Sequence, residues 1–184
     1  MMISILESDF FWGVVIGIIL AFISGYYLAY MNIRLLKRHQ KETVIGFCID
    51  TVANIQKIIE EMENVRDRAQ IINRDYIALI NIEIQIFGRN REHTIKIDEQ
   101  NRSNVRNFMN NCAIKCVDIS MNLDKYEQAT RAADQIQAEG RQPEADRMRQ
   151  QAVGFRDKAH AAADRLVNIA KESNSILEGL KKVE

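Results

Sequence analysis

The sequence predicts a mainly α-helical protein with a single transmembrane helix near its N-terminus and a helical domain on the cytoplasmic side. Three observations predict this fold class. Residues 10–31 are apolar and uncharged, the segments after residue 43 repeat apolar residues at helical spacing, and the 184 residues include one proline and eight glycines. Because proline and glycine interrupt helices, this composition favours long ones.

The first element is the predicted membrane helix, residues 10–31, which carries no charge. A helix of this length spans about 33 Å, enough for a hydrocarbon core of about 30 Å. Trp12 lies near one end, and Tyr26, Tyr27 and Tyr30 lie near the other, as in the aromatic belts of membrane helices. A buried core helix and a cleaved signal peptide are the alternative interpretations, although the signal peptide would need a basic start and a cleavage site.

The charges on either side of the span predict its orientation. The charged side chains of residues 1–9 are both acidic, Glu7 and Asp9, whereas the juxtamembrane segment 32–42 is basic. The cations of that segment are Arg34, Lys37, Arg38 and Lys41. Because cytoplasmic flanks are enriched in lysine and arginine, residues 1–9 are expected outside and the domain 43–184 in the cytoplasm.

Small residues recur at every fourth position of the predicted membrane helix. They are Gly13, Gly17, Ala21, Gly25 and Ala29. Four-residue spacing places them on one stripe, and small residues let helices approach closely in lipid. The stripe therefore predicts a self-association face. The alternative is that glycine is simply common in membrane helices.

The cytoplasmic part is predicted to begin with a helix over residues 43–71, because its apolar residues alternate spacings of three and four. The segment 76–98 breaks this pattern. Ile80, Ile82, Ile84 and Ile86 alternate with polar residues, and a shorter alternation follows around residues 95–97. Alternating β-branched residues are typical of strands, which predicts a small β-hairpin. Ile77, Ile80, Ile84 and Phe87 also share one helical face, so a helix is the alternative.

Two long helices are predicted to complete the domain. Asp98 is placed to cap a helix over residues 99–139, and Gly140 and Pro143 separate it from a second helix over residues 144–181. Such a short turn makes the two helices an antiparallel hairpin.

No residue pattern predicts catalysis. The sequence has no nucleophile elbow, phosphate-binding loop or zinc-protease motif, and its three histidines are scattered. The three cysteines, an odd number, have no metal-ligand spacing and are expected to be buried and unpaired. We therefore expect no enzyme, metal or cofactor. The formal net charge of zero also argues against binding to a nucleic-acid duplex.

Arginine and asparagine side chains cluster around residues 89–111, and this cluster is the candidate ligand site. Its predicted members are Arg89, Arg91, His93, Arg102, Asn104, Arg106 and Asn107. Arginine binds phosphate oxygens in a fork, and helix starts favour anions, so the cluster predicts a pocket for a small anion such as a nucleotide. The alternatives are a solvated polar turn and asparagine hydrogen bonds across an oligomer interface.

In layout, the chain resembles the CRISPR-associated type III ancillary transmembrane effectors that sense cyclic oligoadenylate. The resemblance lies in the chain length, the single membrane helix before a cytoplasmic domain, and the lack of enzyme motifs. It implies a homo-oligomer in the bacterial inner membrane, with cyclic tetra-adenylate as ligand, that alters membrane integrity in antiviral defence. The alternative function is a membrane-anchored helical scaffold that binds proteins.

Overall fold

The computed structural model describes residues 3–90, 94 and 97–182, with side chains described from Leu20 onward. It contains four helices: α1 (Ile3–Val65), α2 (Arg74–Arg89), α3 (Glu99–Ala138) and α4 (Gln142–Lys181). No strand occurs among these described residues, so the prediction of a mainly α-helical protein is confirmed.

The chain divides into two compact units, Met1–Thr43 and Val44–Glu184. In the first, every residue from Leu20 to Tyr30 is exposed, including the last three members of the small-residue stripe. Gly13 and Gly17 of that stripe lie outside the residues with described side chains. Among the described residues, no helix combines the length and the apolar character needed to cross a membrane.

The second unit is an antiparallel four-helix bundle. Along α1 and α4, Gln56 donates to Asn174 and the later Arg66 pairs with the earlier Asp164, so these helices run in opposite directions. Along α3 and α4, the Lys125 ammonium lies 5.8 Å from the centre of the Phe155 ring. The ring of Phe47 in α1 stacks on that of Phe87 in α2, with centroids 6.4 Å apart.

Residues predicted as the first strand of a β-hairpin over 76–98 form the helix α2 instead. Asn73 caps this helix, because its Oδ1 accepts a hydrogen bond of 2.8 Å from the Asp75 amide. Ile77, Ile80 and Phe87 then face the core. The strand prediction was wrong because the alternating isoleucines divide between two faces of a helix, one buried and one exposed. The predicted second strand falls largely outside the described residues.

The first predicted helix of the domain ends earlier than residue 71. After Val65 the chain leaves helical geometry, and the amide of Ala69 donates to the Asp67 side chain at 2.8 Å. The Arg66 side chain is 3% exposed and turns toward α4. This buried contact holds the end of α1 against α4 at the point where the chain turns toward α2.

The ends of the long helices follow the predicted capping chemistry. The Asp98 side chain accepts a hydrogen bond of 3.0 Å from the Asn101 amide and so caps α3. Gly140 has a φ of 78°, a left-handed conformation that glycine adopts without strain. Pro143 lies in the first turn of α4, where its missing N–H costs no helical hydrogen bond.

The core of the bundle is built from the apolar seams of all four helices. Its largest fully buried side chains include Ile45, Ile55, Ile59, Met62, Ile80, Ile119, Leu123, Leu166 and Leu180. The three cysteines are also buried and unpaired, as predicted. Burial raises the pKa of Cys48 to about 11 and that of Cys112 and Cys116 to about 12, so these thiols remain protonated at neutral pH.

Candidate interaction surface

A groove between α3 and α4 collects the asparagines of the predicted ligand site. Its volume is about 250 Å³. Asn104 and Asn107, both predicted ligand residues, line it together with Asn111, and Phe108 and Ile169 lie among the apolar lining residues. We call this the asparagine groove.

The electrostatics of the asparagine groove suit a neutral polar group better than an anion. The ionisable residue among those that line it is Glu172, an exposed acidic side chain. Within the described part of the chain, the amides of Asn107 and Asn111 have no hydrogen-bond partner, whereas Asn104 accepts one from Gln100 at 3.1 Å. Amides of this kind can pair with the edge of a nucleobase.

The arginines of the predicted site lie elsewhere. Arg102 and Arg106 are one turn apart on α3, roughly half a helical turn around from the residues that line the groove. Arg89 is exposed in the last turn of α2. Arg91 and His93 lie outside the described residues. The structure therefore distributes the described members of the predicted cluster over several faces and gathers only its asparagines.

A second surface was not anticipated from the sequence. Six large apolar side chains lie exposed on adjacent helices, each between 39% and 55% accessible to solvent. They are Leu79, Ile82 and Ile86 of α2 and Ile114, Val117 and Met121 of α3. We call this surface the apolar band.

The ion pairs of Arg74 relate levels along α2 to levels along α3. Arg74 forms ion pairs of 2.8 Å with both Asp124 and Glu127, which fixes one level on each helix. Residue numbers rise on α2 as they fall on α3, because the short connection between Arg89 and Glu99 joins the two helices as antiparallel neighbours. Both helices rise 1.5 Å per residue, so positions along them can be compared by counting residues from the ion pair. By this count, Leu79 lies at about the level of Met121, Ile82 at that of Val117, and Ile86 at that of Ile114.

The apolar band is large, and the charge beside it on α2 is Glu83, which has no ion-pair partner among the described residues. The band extends about 10 Å along each helix, over two helices whose axes are typically 8–10 Å apart. The nearest charges on α3, Lys115 and Asp118, bind each other at 2.7 Å. Groups of large exposed apolar side chains on adjacent helices mark an interaction site more often than scattered exposed residues do.

The signal for the band was present in the sequence but pointed to the wrong structure. In a strand, alternating isoleucines would share one face. In α2, Ile80 is buried and Ile84 packs against the core, whereas Ile82 and Ile86 are exposed. An uninterrupted alternation of isoleucines within a helix therefore indicates two apolar faces, of which the bundle covers one.

The described residues contain no group of three or more histidine, cysteine or carboxylate side chains that could hold a metal ion. The exposed ion pairs of α1, α3 and α4 are mostly contacts within one turn of a helix, typical of a solvated face. The apolar band has chemistry that suits a protein partner, and the asparagine groove has chemistry that suits a polar ligand.

Comparison with known proteins does not indicate a function for either surface. No protein-family model, curated protein or solved structure matches the chain.

Proposed function

We propose that the chain is a non-enzymatic, membrane-anchored helical interaction protein whose bundle binds a protein partner through the apolar band. The anchor is residues 10–31, on the grounds of their length, lack of charge and flanking aromatic residues. The positive flank after this segment supports a cytoplasmic location for the bundle.

The observation that carries the proposal is the apolar band itself. Large aliphatic side chains stay in contact with water only at a cost of roughly 25 cal/mol per Å² of apolar surface. The core is already closed without them, since the buried faces of α2 and α3 carry Ile80, Phe108 and Ile119. The six exposed residues therefore contribute little to the fold of one chain and suit a partner that also has an apolar surface.

Photo-crosslinking tests this proposal in membranes from cells that express the full chain. Benzoylphenylalanine replaces Ile82 or Val117 in the band, and in a control variant it replaces Asn168, which is exposed on α4. We expect discrete protein adducts from both band positions and none from position 168. The proposal fails if the band positions give no adducts, or if all three positions give the same ones.

The asparagine groove favours a second candidate function, the ligand-controlled membrane effector. In this function, a cyclic oligonucleotide binds the cytoplasmic bundle, and the small-residue stripe of the membrane helices rearranges in response. The groove supports recognition of an adenine edge by Asn104 and Asn107, because asparagine pairs with adenine through two hydrogen bonds. Its carboxylate, Glu172, does not favour the phosphates.

Thermal unfolding of the full chain with cyclic tetra-adenylate tests the second candidate. Ligand at a hundredfold excess over its Kd stabilises a folded protein by about 2.7 kcal/mol, which is a rise of several degrees in Tm. We expect Asn107→Ala to abolish the rise and Asn110→Ala to retain it, because Asn110 is an exposed residue outside the groove lining. An unchanged Tm for the wild-type chain would leave the interaction protein as the better account.

A further inference from the structure

The outward face of α2 carries a regular seam with a charge at each end. Its members are Asp75, Leu79, Ile82, Ile86 and Arg89, and all five are exposed. Successive members are four, three, four and three residues apart, which is the spacing by which one helix packs along another. The α2 half of the apolar band is therefore the centre of a longer seam that ends in an acid and a base.

The seam is symmetric about Ile82. Asp75 and Arg89 each lie seven residues from it, or about 10 Å along the helix axis in opposite directions. Leu79 and Ile86 flank it at three and four residues. In the described part of the chain neither Asp75 nor Arg89 has an ion-pair partner, and about 21 Å of helix separates them, so they cannot pair with each other.

This symmetry identifies the kind of partner that the seam fits. A twofold axis through Ile82, perpendicular to α2, would bring a second α2 alongside in the opposite direction. Leu79 would then face Ile86 of the other copy, and each Arg89 would lie beside the opposite Asp75. Twofold interfaces are self-complementary in this way, since residue i contacts j and j contacts i.

The neighbouring helix is compatible with such a contact. Ile114, Val117 and Met121 of α3 are also apolar and exposed, at about the levels of Ile86, Ile82 and Leu79. Arg74, the charge closest to one end of the band, is already neutralised by Asp124 and Glu127. Among the described residues, the charge beside the centre that lacks an ion-pair partner is Glu83, which follows Ile82 on α2. It lies about 100° around the helix from Ile82, at the margin of the seam, where it can keep contact with water.

We propose that the partner of the apolar band is a second copy of this chain, paired through antiparallel α2 seams about a twofold axis at Ile82. The inference rests on the proposed use of the band as an interaction surface and concerns the four-helix unit alone. The acid and base at the ends of the seam set the register, and the apolar centre supplies most of the buried area.

Cysteine crosslinking of the full chain in detergent micelles tests the position of the axis. Ile82→Cys places two thiols at the axis, where a short bismaleimide joins them. Cys48, Cys112 and Cys116 are buried and protonated, so the native thiols react little. Asn168→Cys on α4 is the control for chance encounters between copies within a micelle. We expect a dimer from Ile82→Cys only, and equal dimer yields from the two variants overturn the inference.

Charge reversal tests the pairing itself, in the Ile82→Cys background. Asp75→Arg or Arg89→Asp alone replaces two attractive contacts by two repulsive ones, and we expect about tenfold weaker dimerisation. The double reversal restores opposite charges across the axis, and we expect dimer yield to recover to near the starting value. Circular dichroism confirms that each variant is folded, since both charges also favour their ends of α2.

The outcomes separate this inference from the proposed function. Recovery in the double reversal supports a second copy as the partner, because the same swap would not restore binding to a different protein. If the photo-crosslinking adducts form at the band but Ile82→Cys gives no dimer, the self-pairing is wrong and the interaction surface remains. If neither experiment shows contact at the band, both are wrong.

Discussion

Leu166→Ala is expected to lower the free energy of unfolding by about 3 kcal/mol, which corresponds to a fall of about 10 °C in Tm. Leu166 is fully buried in α4, in the same apolar cluster as Ile59 and Ile119. Truncation removes apolar contacts and leaves a cavity that the long helices around it can close only in part. Chemical denaturation of the full chain in mild detergent measures the loss.

Leu79→Ala is the matched control, because it makes the same chemical change on an exposed side chain of the apolar band. We expect a loss below about 1 kcal/mol, since surface substitutions away from packed sites rarely cost more. A loss as large as that of Leu166→Ala would show that Leu79 is packed within its own chain. That result would remove the main reason for assigning the band to a partner.

Arg66→Ala is expected to destabilise the bundle by about 2 kcal/mol, because it breaks the polar contact between the end of α1 and α4. The Arg66 guanidinium lies 2.5 Å from carboxylate oxygens of both Asp164 and Glu63, and it donates to the His160 carbonyl at 3.1 Å. Both carboxylates keep some contact with water, so they are hydrated after the change. Because of this hydration, we expect Arg66→Ala to lower the free energy of unfolding by less than the loss of one partner of a fully buried ion pair would.

The neighbouring Arg68 supplies the control for this prediction. It approaches the same Asp164 carboxylate at 3.3 Å, but its side chain is 73% exposed. Exposed ion pairs are screened by water and contribute little, so we expect Arg68→Ala to cost less than about 0.5 kcal/mol. Equal losses for the two variants would contradict the view that burial of Arg66 makes this contact important. Denaturant midpoints of the two variants, compared under one set of conditions, decide the question.

The sequence was most informative where a single physical cause dominates. The seam of α1 through Ile45, Val52 and Ile59 is buried as its spacing predicts, because the core of the bundle shields these side chains from water. The cap of Asp98 and the left-handed turn at Gly140 also follow from local chemistry alone. Local rules therefore recovered most of the helices and the turn between α3 and α4.

The sequence was least informative where two causes overlap. Alternating isoleucines in α2 satisfy both a strand and a helix with two apolar faces, and only packing against α3 decides between them. The arginines and asparagines of the candidate ligand site do not come together in the structure, for a related reason. Arg102, Asn104, Arg106 and Asn107 are neighbours in sequence, but successive helical residues turn by about 100°, so arginines and asparagines point to different sides of α3.

The photo-crosslinking comparison of positions 82, 117 and 168 in native membranes tests most directly whether the apolar band is a contact surface. The account predicts discrete adducts from the two band positions and none from the α4 position. Adducts of equal yield from all three positions, or an absence of adducts from positions 82 and 117, would contradict it.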